Sequence, residues 1–262
     1  MTEGSHLRAD PAILRMQADV QQYASSVNAS IAAAHGGVSP HPLSGGALYA
    51  LTADLFGIHR AILCLCENGW AFASVALLRS MIDILINAAV ITERESEAEF
   101  RGFKYTHFFL KAQLHKGALS QEARTAVRTQ INDGIRRLLP ADRRRAEDFM
   151  FQERLRNHWY CPEFIRPTDV LDRLASPGIR FIYDTYSGGS HGGYMGLRLF
   201  KDDPDLVHPN PRADARSQYS AIAASTRIML DTMNIRDHFE NDGAHKAAYE
   251  VLLGRLVSLR PA

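Results

Sequence analysis

The sequence predicts an all-α protein, a single-domain helical bundle of about eight to ten helices around a central apolar helix at residues 70–91. Three observations lead there. No proline occurs from Leu43 through Leu139 or from Arg212 through Arg260, while Pro162, Pro167, Pro177, Pro204, Pro209 and Pro211 crowd the region between. Leu48, Leu51, Leu55, Ile58, Ile62 and Leu65 recur at three and four residues, the period of one helix face. No segment sustains the period-two alternation of a strand.

The elements follow in order. An N-terminal helix is expected at 10–35. Gly69 breaks the helix carrying the Leu48 face, the central helix runs from Trp70 to Ile91, and the acidic stretch Glu93 to Glu99 opens a helix reaching about His115. Ser120 can cap a helix to about Leu139, Pro140 fits the first turn of another to about Arg156, and Thr168 can cap a short one. Ile179 to Ser190 reads as a helix ending in glycines, and residues 212–259 as a terminal hairpin of helices. No repeat, low-complexity tract or shift in composition divides the 262 residues, so 1–262 is expected to form one domain.

With 46% hydrophobic and 23% charged residues, a packed core is expected rather than disorder. A formal net charge of +1 provides no global field toward nucleic acid or an acidic membrane, so such a partner needs a local patch. The three cysteines, Cys64, Cys66 and Cys161, lack metal or redox spacing and read as reduced thiols. Met1 to Pro11 carries charges and no apolar run, which predicts no signal peptide or membrane anchor and a cytoplasmic protein.

The helix at 70–91 could cross a bilayer by length, but Arg79 and Asp83 sit at its middle, where charge is costly in lipid. Arg79, Asp83 and Asn87 are spaced four apart and form one polar row on an otherwise apolar helix, expected to face protein rather than water. The row suits either a buried ion pair with Asn87 tying down a neighbouring loop, or a functional site.

A second signal lies a hundred residues on. If helix continues through them, Tyr183, Tyr186, Ser187, Ser190 and His191 form a single stripe of hydroxyls ending in an imidazole, able to bind a ligand and to shuttle protons. Five glycines from Gly188 to Gly196 cost about 1 kcal/mol each in a helix, an expense that close approach of a ligand or another helix would explain. The alternative is a helix end with His191 as a packing residue.

Other chemistry is sparse. No H-x-x-x-H, H-E-x-x-H or E-x-x-H pattern falls on an expected helix, so no tightly bound metal is expected; no dinucleotide or phosphate-loop motif is present, so no nucleotide or other cofactor is expected. Cys161, beside His158, Trp159 and Tyr160, reads as packing rather than as a reactive thiol. Arginines from Arg124 to Arg156, including Arg143, Arg144 and Arg145, make a basic stretch suited to RNA phosphates, with Trp159 and Tyr160 placed to stack a base; the alternative is a solvated helix face.

Leu77-Leu78-Arg79-Ser80-Met81-Ile82-Asp83, with Tyr183, Tyr186, Ser187 and His191 following, resembles a widespread bacterial helical family known only as a domain of unknown function, over roughly residues 45 to 200. In that family an Arg-Ser-x-x-Glu helix precedes a Tyr and Ser/His helix, and Asp83 stands where Glu is usual. Those bundles in turn resemble the HEPN group, whose ribonucleases carry Arg and His on one helix with four to six residues between. Arg101 and His107 match that spacing with five intervening residues. The resemblance implies a metal-independent ribonuclease acting in defence or as a toxin, in which His191 or His107 transfers protons and Arg79 or Arg101 steadies phosphate charge. The same bundles imply a homodimer, since the site of the HEPN group forms where two copies pair. The competing expectation is a non-catalytic bundle that binds a partner or a small ligand, with the Tyr183 to His191 face lining a pocket and Arg79 and Asp83 structural.

Overall fold

Among the residues that the computed structural model describes (11–36, 41–68, 70–115, 119–174, 177–190 and 215–259, with backbone alone at 11, 72, 177, 185–190 and 215–217), there are ten α-helices and no strand. They are α1 (Pro11–Ala34), α2 (Ser44–Glu67), α3 (Ser74–Thr92), α4 (Ala98–His115), α5 (Gln121–Arg137), α6 (Pro140–Glu147), α7 (Pro167–Leu174), α8 (Pro177–Ser190), α9 (Ala215–Asn241) and α10 (Lys246–Ser258).

Helix α3 is the centre, packed against α2, α4, α7, α8 and α9, while α1 lies on α9 and α10. By length and composition α2 and α3 could each cross a bilayer, but just over half of α3 is buried inside the bundle. Leu48, Leu51, Leu55 and Ile62 of the predicted α2 face are buried against Leu78 and Ile82 of α3 and Ile222 and Met229 of α9. A second, smaller core of Phe103, Ile131, Ile135 and Phe149 joins α4, α5 and the residues just after α6.

One polar knot crosses the main core. His59 of α2 places Nδ1 3.1 Å from Ser225 Oγ and Nε2 2.9 Å from Gln17 Oε1, and Gln17 Nε2 donates to Thr226 Oγ1 at 3.1 Å. Burial pushes the His59 pKa down to about 4, so the ring is neutral in the fold.

Local signals differ from expectation in three places. The central helix begins at Ser74, because Ala71–Ala73 form a 3-10 turn whose Ala71 carbonyl accepts the Ser74 hydroxyl. The helix from Pro140 stops at Glu147 and gives way to a π-helical turn at Asp148–Gln152. The chain then folds back and buries Trp159, Tyr160 and Phe164, which a helix reaching Arg156 would not permit. Asp169, not Thr168, holds the start of α7, its Oδ2 accepting the Arg166 N–H at 2.8 Å. Ser120 caps α5 as expected, its hydroxyl accepting the Ala123 N–H.

The N-terminus of α2 is capped from outside its own sequence. Leu43 offers no side-chain cap, and the Glu99 carboxylate of α4 accepts the Leu43 and Ser44 N–H groups at 3.2 and 2.9 Å. Gly102, one turn further along α4, lets the helices meet this closely: a Cβ there would sit 2.6 Å from the Ser44 backbone.

Candidate functional site

The polar row of α3 forms a seam with α8 and with the turn at 158–160. Arg79 Nη2 lies 3.0 Å from Asp83 Oδ1, and the Arg79 guanidinium carbon sits 4.1 Å above the ring of Tyr183 on α8. One turn on, Asn87 Oδ1 accepts the Trp159 indole N–H at 2.7 Å, which anchors the turn to α3. His158 stacks on Tyr160 with ring centroids 5.0 Å apart and planes 4° from parallel.

The row is not sealed from water as expected: the Asp83 side chain is 49% exposed and that of Arg79 18%. Burial of the remainder raises the Asp83 pKa above the ordinary carboxylate value, opposed by the charge and hydrogen bond of Arg79 and by the nearby His158. Tyr160 is raised further, first by burial and then by the Asp83 carboxylate. A solvent-facing carboxylate, a guanidinium, an imidazole and two phenols therefore share one neighbourhood, a set able to hold an anion and move protons.

The other predicted residues fall elsewhere. The α8 backbone is helical through Tyr186, Ser187 and Ser190, but their side chains, and His191 altogether, lie outside the described residues. Arg101 and His107 do not meet in one cleft. The Arg101 guanidinium is 2% exposed and donates to Glu93 and Glu163, both at 2.8 Å, and to the Val90 carbonyl, with Glu97 at 3.5 Å. His107 turns to α5: its Nδ1 is 3.0 Å from the Phe103 carbonyl, and its ring fills the space over Gly134, where a Cβ would come within 2.2 Å of Nε2. A glycine on the neighbouring helix thus makes the socket for this ring.

Arg143, Arg144 and Arg145 are exposed on α6. Arg143 donates to the carbonyls of Leu138 and Arg136 at the end of α5, and Arg145 pairs with Asp142 and lies over the Phe100 ring. Trp159 and Tyr160 are 5% and 4% exposed, so they are core residues rather than a base-stacking platform. Cys161 is buried with its thiol donating to the Phe164 carbonyl. Among the described residues no three His, Cys, Asp or Glu side chains are grouped to hold a metal ion.

The profile of a known protein family matches residues 47–206, which includes α3, α8 and the turn between them. The chain belongs to the family of unknown function DUF5677. The DUF5677 match spans nearly the 45–200 stretch whose resemblance rested on the Arg79 and Tyr183 helices. Curated proteins and solved structures gave no match.

His158 is a residue of this seam that sequence reasoning did not single out, weighing it only as a neighbour of Cys161. Its adjacent signal was Trp159: a buried indole N–H needs an acceptor, and Asn87, one turn beyond Asp83 on the polar row of α3, supplies one.

Proposed function

We propose that this DUF5677 chain is an RNA-directed, metal-independent ribonuclease whose centre is the seam of α3, α8 and the 158–160 turn. The observation that carries the reading is the Arg79–Asp83 pair with His158 near enough to act on the Asp83 charge, His158 coming directly after the exposed Arg154 and Arg156. The basic stretch thus ends at the acid–base cluster. In this reading Arg79 steadies the phosphate charge and the raised Asp83 carboxylate takes the proton of a ribose 2′-hydroxyl. The 2′ oxygen bonds to phosphorus, the P–O5′ bond breaks, and the leaving oxygen takes a proton from His158 or from His191, the residue following α8. The products are a 2′,3′-cyclic phosphate and a 5′-hydroxyl.

The test is cleavage of labelled single-stranded RNA by the purified chain in chelator. Cyclic-phosphate products are expected, falling by about 10² to 10⁴ in Asp83→Asn and Arg79→Ala with the melting curve retained, and unchanged in His107→Ala. His158→Ala and His191→Ala decide which imidazole is the acid. Full activity in Asp83→Asn, or no cleavage and no RNA retention at low salt, would sink the reading.

One observation favours the non-catalytic alternative. Arg79 is already held between Asp83 and the Tyr183 ring, an arrangement that also serves as a tie between helices. A bundle that binds a partner without chemistry would retain RNA or protein while leaving the RNA intact.

A further inference from the structure

A second site, independent of the RNA reading, lies on a different face of α3. Between α3, α7 and α9 the bundle leaves a cavity of about 170 Å³. Its walls are apolar: Leu85, Ile86 and Ala89 from α3, Val170 and Leu171 from α7, Ile235 from α9. Its polar end is built from Arg227, Asp231, Asn234 and Tyr249.

The ions at that end neutralise each other. Arg227 Nε donates to both Asp231 oxygens at 3.0 and 2.9 Å, and the Tyr249 hydroxyl donates to Asp231 Oδ1 at 2.8 Å. The Asp231 side chain is 11% exposed, so a net charge brought into the cavity would lose water without gaining an opposite partner. Asn234, by contrast, makes no side-chain hydrogen bond among the described residues, and the Tyr249 oxygen, its proton already donated, can still accept. Behind them the Tyr23 hydroxyl is buried without a partner.

Size narrows the ligand further. Pockets for drug-sized molecules and cofactors run from about 300 Å³ upward. A cavity of about 150 Å³ takes one benzene ring. The geometry points to a binding site for a neutral, ring-sized amphiphile, an apolar ring carrying one hydroxyl or carboxamide that exchanges hydrogen bonds with Asn234 and Tyr249. Nucleotides, sugars and fatty chains are too large or too polar for it.

Methyl-labelled NMR of the full chain tests this with benzyl alcohol and cyclohexanemethanol as neutral probes and benzoate and benzylamine as charged ones. Saturable shifts confined to Leu85, Ile86, Leu171 and Ile235 are expected for the neutral pair, with the charged pair at least about tenfold weaker. Ala89→Phe, which fills the cavity, should abolish the shifts, with Leu171→Phe as the second filling variant if the first does not fold. Asn234→Leu should weaken benzyl alcohol by roughly fivefold or more. Failure of either neutral probe to saturate, equal binding of the charged probes, binding that survives filling, or indifference to Asn234→Leu would each overturn the assignment.

Discussion

The Asn87 carboxamide of α3 and the Trp159 indole, 72 positions apart in the chain, are joined by a hydrogen bond of 2.7 Å. Through it, and through the packing of Trp159 on Tyr105, the turn carrying His158 is tied to the bundle beside the helix of Arg79 and Asp83. Asn87→Leu is expected to leave the buried indole N–H without an acceptor and to cost about 1–3 kcal/mol in denaturant unfolding. Trp159→Phe should lose the bond as well, and combining the two should cost less than the sum of the single losses. Additive losses would show that the bond does not couple these residues.

Two arginines should separate on melting. Arg79 pairs with a carboxylate that is half exposed, so Arg79→Ala should cost about 1 kcal/mol or slightly more, the ion pair and the Tyr183 ring contact together. Arg101 lies buried among Glu93, Glu97 and Glu163, and Arg101→Ala would leave those carboxylates without their cation, at roughly 3 to 5 kcal/mol. Equal losses in the two variants would contradict the difference in burial.

Stability should fall on acidification through His59. Its folded pKa, about 4, lies below the unfolded 6.5, so above pH 6.5 both states are neutral and nothing is lost. Between pH 6.5 and 4 the unfolded state binds the proton and the folded state does not, so stability declines by up to about 3 kcal/mol. Unfolding free energies measured across this window should slope less in His59→Gln than in the parent chain. Parallel slopes would assign the acid sensitivity to other groups.

The two crowded glycines should respond differently to alanine. At Gly102 the new methyl meets backbone of Ser44 and Leu43, which cannot step aside, whereas at Gly134 the atoms it meets first are those of the His107 ring. Gly102→Ala should therefore be the more damaging, and no single partner change should rescue it. Gly134→Ala should be relieved by His107→Ala in the double variant. Thermal melting of the four proteins checks the pattern.

What could be read in the sequence was whatever a single helix carries. The four-residue spacing of Arg79, Asp83 and Asn87 and the period of Leu48 to Ile62 each lie on one element, so sequence gave both the helix and its face. The Arg101–His107 spacing was equally visible and led the wrong way. At that spacing two side chains can share a face, but Arg101 is claimed by Glu93 from the bend before α4 and by Glu163, 62 positions on, and His107 by a glycine on α5. Partners of that kind come only with the tertiary fold. The half-exposure of Asp83 and the burial of Trp159 were hidden for the same reason, since each depends on segments distant in the chain.

The cap that Glu99 gives α2 also bears on how this chain is made. As the polypeptide leaves the ribosome, Leu43 and Ser44 emerge some 55 residues before the carboxylate that receives their N–H groups. The first turn of α2 can fray until α4 has been synthesised and has docked through Gly102. Nascent chains halted before Glu99 should exchange those amide protons freely, and chains extended past His115 should protect them. Assembly of the bundle is thus paced by the arrival of α4, and a substitution that delays its docking would lengthen the time for which the apolar face of α2 is open to other chains.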